Sequence, residues 1–273
     1  MNPARPPCLD CGAERVGPHC HRCGQGEVDP DAGVRQLVGG AARDAFSWDE
    51  RALRTLRVLL GQPGALSVAW AEGKRTRFVP PLRLFLTLGA VLVALGVAYG
   101  WLLPASPAEA PDPAMDRSGP TTHNVGYWFG FGMRALGLNA VLLLVPLVGF
   151  AYFVLFNGRR PRLAPHLVHA LHVGCVAVLG LIIWRLASIA WLAAGAAATL
   201  AHTMQPPETT VGPVEALLVG WLAAIAVYAY VSIRRFYQTS RRRATLAAPL
   251  VVVIPLGAVL GVLITIYVAL LIL

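Results

Sequence analysis

The sequence predicts an all-α integral membrane helical bundle of five transmembrane helices with a small N-terminal zinc ribbon. Apolar residues make up 56% of the 273-residue chain and charged residues only 14%, whereas soluble globular domains carry roughly 25% charged residues. After residue 81 the apolar residues form blocks long enough to cross a bilayer, which takes about 20 residues of helix. Two C-x-x-C pairs precede these blocks. This composition argues against a cytosolic enzyme and against a disordered chain.

Residues 1–26 are predicted to form the ribbon, because each C-x-x-C pair is followed by a glycine that permits a tight turn. Four thiolates around one ion give the closed tetrahedral coordination of a structural zinc ion. The eight residues between the pairs predict a minimal two-knuckle ribbon with almost no sheet. The predicted metal ligands are Cys8, Cys11, Cys20 and Cys23.

Other readings of this segment remain open. His19 or His21 could replace one cysteine as a ligand, and iron shares the preference of zinc for tetrahedral sulfur coordination. A matched second pair argues against a redox dithiol, for which a single C-x-x-C would suffice. Because the site has no open coordination position, we predict a structural metal rather than a catalytic one.

Residues 27–81 are predicted to be a cytoplasmic amphipathic juxtamembrane segment. Ser47 to Glu50 form a capping-box pattern, and leucines at helical spacing follow, with arginines on the other faces. The leucines are Leu53, Leu56, Leu59 and Leu60. Such a helix either lies on the anionic inner surface of the membrane or packs its leucines on the protein's own helices, and the two alternatives are compatible.

Residues 82–273 are predicted to form the transmembrane domain. Its five spans lie at about 82–103, 135–156, 167–202, 214–233 and 248–273, with an external linker at 104–134. The third block, of 36 residues, could be one long helix or two short ones split near Arg185.

The basic residues decide between five and six spans. They form three clusters, at 74–83, 159–162 and 234–243. Five spans place all three on one side of the membrane, as the positive-inside rule requires, whereas six would place the last cluster outside. We therefore predict a bacterial inner-membrane protein with a cytoplasmic N-terminus and an external C-terminus.

Three histidines open the third span, at positions i, i+3 and i+6. Neighbouring pairs share a helix face, so two of His166, His169 and His172 could bind a metal or relay a proton. The outer two lie about 120° apart around the helix, so all three need another helix to converge on one ion. The alternative is that these are histidines tolerated at a polar boundary. Arg185 is expected to snorkel towards the outer interface, or else to face a polar cavity.

Several stretches resemble a bacterial group known as domain-of-unknown-function family 3667. They are Cys23-Gly24-Gln25, residues 55–64, Gly73-Lys74-Arg75 with residues 78–86, residues 165–172 and residues 234–238. The resemblance implies an inner-membrane location and a zinc ribbon, and it supplies no known activity.

The sequence contains no phosphate-binding loop, no zinc-protease helix and no nucleophile elbow, and no acidic residue lies deep within a span. We therefore predict a protein that is not an enzyme, whose cytoplasmic zinc ribbon binds a protein partner or the membrane surface. The alternative is a small transporter or lipid-handling protein with a polar path near His166, His172 and Arg185. No nucleic-acid partner is expected, and an oligomer is possible but not deducible.

Overall fold

The computed structural model describes residues 6–27, 50–102, 141–200, 213–254 and Gly257. Over these ranges the regular structure is helical, apart from one isolated antiparallel bridge between His19 and Gly26. The predicted all-helical architecture is thus confirmed for the described part of the chain. The bridge lies within the cysteine-rich segment, which otherwise consists of turns.

Seven helices follow one another along these residues. They are α1 Glu50–Gly61, α2 Ala65–Ala71, α3 Pro81–Leu102, α4 Val141–Phe156, α5 Leu163–Leu200, α6 Pro213–Tyr237 and α7 Arg241–Ala247. The backbone amide of Val253 donates to the carbonyl of Pro249, so helical hydrogen bonding resumes after α7.

Three of these helices contain stretches long and apolar enough to cross a membrane, namely Pro81–Tyr99, Leu163–Trp191 and Ala216–Tyr237. A fourth apolar stretch, Leu144–Phe156, is shorter. The start of the predicted second span, the linker 104–134 and most of the predicted fifth span lie outside the described residues. Helix α5 passes Arg185 without a break, and its 38 residues extend over about 57 Å, well beyond a hydrocarbon core of about 30 Å.

The chain divides into two compact units. The first takes in the described residues of Met1–Thr87, Val145–Ala177 and Ala223–Ile254, and the second takes in those of Leu88–Leu144, Val178–Leu222 and Pro255–Leu273. The cysteine-rich segment, α1, α2 and the histidines of α5 all belong to the first unit, whereas Arg185 belongs to the second.

Small residues allow the helices of the first unit to approach closely. A Cβ atom on Gly149 would lie 2.8 Å from the side chain of Leu167, and one on Gly174 would lie 3.1 Å from Val145. Such contacts are typical of helices packed in a membrane, where small residues let the backbones come together. They place the N-terminal half of α5 against α4.

Helix α1 divides its leucines between two environments. Leu59 is buried, and its carbonyl accepts a hydrogen bond of 2.6 Å from the Tyr228 hydroxyl. In contrast, Leu53 is 72% exposed and Leu60 is 55% exposed. One face of α1 therefore packs on the protein while a second apolar face is left outward, in agreement with both alternatives drawn from the sequence.

Candidate functional site

The cysteine-rich segment is built from two turns with the same hydrogen-bonding pattern. The amide of Gly12 donates to the Cys8 carbonyl at 2.9 Å, and the amide of Gly24 donates to the Cys20 carbonyl at 2.8 Å. Both glycines have φ of +74°, a left-handed conformation that other residues rarely adopt. The glycine after each second cysteine is thus required by the turn.

These turns bring the four predicted ligands together. The Sγ atoms of Cys8 and Cys23 lie 3.5 Å apart, as do those of Cys11 and Cys20, and the four sulfurs all lie within 4.8 Å of one another. A tetrahedral ion with metal–sulfur bonds of about 2.3 Å needs sulfurs about 3.8 Å apart. The four cysteines therefore fit a metal ion, with no position left open for a substrate.

The backbone prepares part of this site for negative charge. Hydrogen bonds from the amides of Cys23 and Arg22 lower the pKa of the Cys20 thiol to about 6. Burial has the opposite effect on Cys23, whose pKa is raised to about 12. Because a metal binds thiolates, loading the site releases the protons that the high-pKa sulfurs still hold.

The ribbon is docked onto residues 73–77, just before helix α3. The side-chain amide of Gln25 donates to the Gly73 carbonyl at 2.7 Å, and the amide of Arg75 donates to the Gln25 side-chain oxygen at 3.4 Å. This amide side chain is buried. It therefore joins the second cysteine turn to the juxtamembrane segment through both of its polar atoms.

Asp10 provides the corresponding link from the first cysteine turn. Its carboxylate accepts hydrogen bonds from the amide of Thr76, at 3.2 Å, and from the Thr76 hydroxyl. The guanidinium of Arg77 lies 2.8 Å from the same carboxylate and donates to the Asp10 backbone carbonyl at 2.7 Å. Only 1% of the Asp10 side chain is exposed, so these groups stand in for the water that an ionised carboxylate otherwise needs.

Gly73 is required where the two parts meet. Its φ is +82°, and a Cβ atom at this position would lie 2.6 Å from the side chain of Leu9. The motifs Gly73-Lys74-Arg75 and Cys23-Gly24-Gln25 both belong to the family resemblance, and the sequence does not predict that they touch. No local pattern shows this contact, since Gln25 and Gly73 are 48 residues apart.

A cavity of about 500 Å³ lies between the ribbon and the juxtamembrane segment. The ribbon contributes Pro18, His19, Gly24, Gln25 and Gly26, the juxtamembrane segment contributes Glu27, Leu66, Trp70, Lys74, Arg75, Thr76, Phe78, Val79, Pro80 and Pro81, and α5 contributes His172. The Arg75 guanidinium lies 4.5 Å from the centre of the Trp70 ring. Burial lowers the pKa of Arg75.

Two of the predicted histidines meet at a serine of α2. The Ser67 hydroxyl is 2.9 Å from Nδ1 of His172 and 3.4 Å from Nδ1 of His169, and all three side chains are buried. A hydroxyl has one proton, so it donates to one ring and accepts from the other. The structure thus engages these histidines with Ser67 rather than with each other.

His166 has separate partners. Its Nδ1 lies 2.9 Å from the Tyr237 hydroxyl, and its Nε2 lies 2.8 Å from the Arg160 carbonyl. Within the described residues, the histidines belong to no group of three or more metal-ligating side chains. The alternative of histidines tolerated at a polar boundary does not fit either, because none of His166, His169 and His172 is more than 5% exposed.

Two buried polar atoms beside this cluster have no hydrogen-bond partner. They are the Tyr152 hydroxyl and Nε2 of His169, and the two rings have centroids 5.5 Å apart. The other face of His169 stacks on Phe236 at 4.8 Å. Buried polar atoms are rarely left unsatisfied, so these two atoms mark an unusual site within the first unit.

Arg185 differs from the expectation of a snorkelling arginine. Only 3% of it is exposed, and its guanidinium lies 4.5 Å from the centre of the Tyr99 ring and 5.2 Å from that of Trp184. The aromatic faces offer the cation a favourable surface within its own unit, which explains why it does not extend to an interface.

Residues 49–93 match the model of a family described as a protein of unknown function, DUF3667. The match covers α1, α2, the docking residues 73–77 and the first half of α3, and it agrees with the resemblance noted from the sequence. No curated protein and no solved structure matches the chain.

Proposed function

From the premise that residues 49–93 belong to this family of unknown function, we propose that the chain is a non-enzymatic, five-span protein of the bacterial inner membrane. Its cytoplasmic head, defined as residues 6–27 with residues 50–80, binds the anionic surface of the inner leaflet. A structural zinc ion held by the four ribbon cysteines stabilises this head, with the N-terminus in the cytoplasm and the C-terminus outside.

The outward face of α1 is the observation that carries this proposal. Leu53 and Leu60 are two turns apart on one side of the helix and are largely exposed. Arg54 and Arg57 are exposed beside them. An apolar stripe flanked by arginines suits the boundary between acyl chains and anionic headgroups. Because only the short helix α2 and residues 72–80 separate α1 from α3 along the chain after Gly64, this face is held close to a span.

The proposal is tested with a photoreactive amino acid in place of Leu60, in the full-length protein reconstituted into nanodiscs. Crosslinks to lipid are expected, more in phosphatidylglycerol than in phosphatidylcholine discs. The R54Q/R57Q variant should reduce the difference between the two lipids while leaving the metal content unchanged. Absence of lipid crosslinks at position 60 in both lipids would contradict the proposal.

A protein partner on the ribbon is a competing outcome. The ribbon's polar side chains Asp10 and Gln25 already bind the chain's own residues 73–77, which favours a structural role for this face. Recovery of one stoichiometric protein partner by the intact chain, and not by a variant with all four ribbon cysteines replaced by serine, would support the partner instead.

A transporter or lipid-handling protein is the second candidate, favoured by the buried cluster of His166, His169 and His172 with Ser67 and Tyr237. A polar path through the first unit would use these groups. Loss of solute flux in proteoliposomes on His172→Gln and on His166→Gln, with flux retained in R54Q/R57Q, would support it over surface binding.

A further inference from the structure

We infer that the cavity between the ribbon and residues 66–81 is a binding site for an anionic phospholipid, which places its phosphate near Lys74 and Arg75 and its glycerol and upper acyl part against the cavity's apolar residues. The inference rests on the proposed position of the head at the inner leaflet. It adds a specific ligand site to what is otherwise a general surface contact.

The cations that line the cavity are Lys74 and Arg75, and His19 lines it as well. Glu27 is the one acidic residue among those that line it. Lys74 pairs with Glu72 at 2.7 Å, but both side chains are more than 40% exposed, and such exposed pairs contribute little and exchange readily. Arg75 is held over Trp70, which fixes its guanidinium at the cavity wall.

Several other residues that line the cavity are apolar. They are Leu66, Trp70, Phe78 and Val79. A small anion such as free phosphate could pair with Lys74 and Arg75 but would leave the apolar lining residues in contact with water. An amphiphile covers both the cationic and the apolar residues. A cavity of about 500 Å³ also falls within the range of sites for small organic ligands.

The position of the cavity favours a lipid as the source of this chemistry. Pro80 and Pro81 line it, and Pro81 is the first residue of the candidate span Pro81–Tyr99. In the proposed topology the headgroups of the inner leaflet lie at this level. A lipid can thus enter the cavity without leaving the bilayer.

His172 supplies a further polar group to the lining of the cavity. It is only 5% exposed, and its Nδ1 is taken by Ser67 at 2.9 Å. Nε2 is therefore the ring nitrogen left for a ligand, either as a donor to a headgroup oxygen or as an acceptor from a headgroup hydroxyl. Phosphatidylglycerol carries both kinds of group.

The test is native mass spectrometry of the full-length protein released from nanodiscs of phosphatidylglycerol or of phosphatidylcholine. One retained phosphatidylglycerol per chain is expected, with phosphatidylcholine not retained. The K74Q/R75Q variant should retain at least about tenfold less, as expected for loss of charged hydrogen bonds to a phosphate. The matched R54Q/R57Q variant removes the same charge from α1, outside the cavity, and should retain the lipid.

Several results would overturn the inference. Equal loss in both double variants would indicate unspecific attraction, and equal retention of the two lipids would exclude recognition of the anionic headgroup. Displacement of the lipid by glycerol 1-phosphate at equal concentration would point to a soluble phosphate ester. The metal content of K74Q/R75Q, which should match that of the native chain, excludes misfolding of the ribbon as the cause of loss.

The outcomes separate this inference from the proposed function. Lipid crosslinks at position 60 without a retained lipid would overturn the inference alone. A retained lipid that depends on Lys74 and Arg75, without crosslinks at position 60, would overturn the proposed surface contact of α1 alone.

Discussion

At the scale of single residues, the contact of the ribbon with residues 73–77 depends on a few residues in closely packed positions. Gly73 has a left-handed backbone conformation and lies against the Leu9 side chain. The buried Asp10 carboxylate contacts Thr76 and Arg77 instead of water. Neither residue is a metal ligand. The attachment of residues 6–27 to the rest of the head thus depends on their contacts with residues 73–77.

Gly73→Ala is expected to destabilise the head by at least about 1–2 kcal/mol, because an alanine pays the left-handed backbone cost and also meets Leu9. Thermal melting in detergent measures the effect. Gly61→Ala is the matched control, since a Cβ atom at Gly61 meets nothing within 4 Å and its φ is not positive. Equal melting temperatures for the two variants would contradict the docking contact.

Asp10→Asn should loosen residues 73–77 without removing a cysteine. The amide keeps one acceptor for Thr76 but loses the ion pair with Arg77 and introduces a buried donor with no partner, at a cost of about 1–3 kcal/mol. Faster hydrogen exchange of the amides of Arg75 and Thr76 reports it. Glu14→Gln, an exposed change in the same ribbon, should leave this exchange unchanged.

The sequence predicts at this scale what depends on short-range spacing. The two C-x-x-C pairs place four sulfurs together through local turns, and the structure confirms that these sulfurs are close enough to share an ion. The contacts of Gln25 with Gly73, of Ser67 with His172 and of His166 with Tyr237 join residues that are 48 to 105 positions apart along the chain. Such partners depend on how helices pack, for which a single sequence carries no local signal.

At the scale of elements, the short helix α2 anchors the juxtamembrane segment to α5. Gly64, with φ of +80°, begins α2 at a point where a Cβ atom would lie 2.9 Å from the Ser232 carbonyl oxygen of α6. Ser67 then joins α2 to His169 and His172. The sequence predicts an amphipathic juxtamembrane segment that includes α2, but not that the serine of α2 contacts two buried histidines.

Ser67→Ala is expected to lower stability by about 1–2 kcal/mol, because it leaves Nδ1 of His172 buried without a partner. The change in melting temperature measures this. Ser188→Ala is the control, since its hydroxyl donates only to the Trp184 carbonyl of its own helix, at 2.9 Å. A larger loss in the control would contradict the anchoring role of Ser67.

The long helix α5 illustrates why helix existence is easier to predict than burial. Its apolar run predicts a helix from residue 167, and the helix observed is Leu163–Leu200. The run does not show which of its polar residues will find partners. Arg185 stacks on Tyr99 of α3, a contact that depends on the crossing of two helices rather than on the residues around Arg185.

At the scale of the whole molecule, hydrogen bonds join the four-cysteine site to residues 73–77. Loss of the proposed metal should therefore disorder both parts. Removal of the ion by a chelator, or Cys20→Ser, is expected to release residues 73–77, seen as faster amide exchange in this segment. The protein should contain one zinc per chain before treatment. Cys175→Ser, a buried cysteine of α5 outside the ribbon, should keep the metal and the protection.

The proposed five-span topology makes a separate prediction. A reporter enzyme that works only outside the cytoplasm should be active when fused to the C-terminus. A tag at the N-terminus should be protected from added protease in right-side-out vesicles, because the arginine clusters remain inside. A C-terminal reporter that is active in the cytoplasm would leave an even number of spans and would contradict the topology.

The docking of the ribbon also has a mechanical consequence. Arg77 binds the ribbon, and four residues later the chain enters α3 at Pro81, a stretch that can span at most about 14 Å. So short a tether cannot absorb displacement. A displacement of the four cysteines is therefore transmitted to α3 and is not absorbed by a flexible linker.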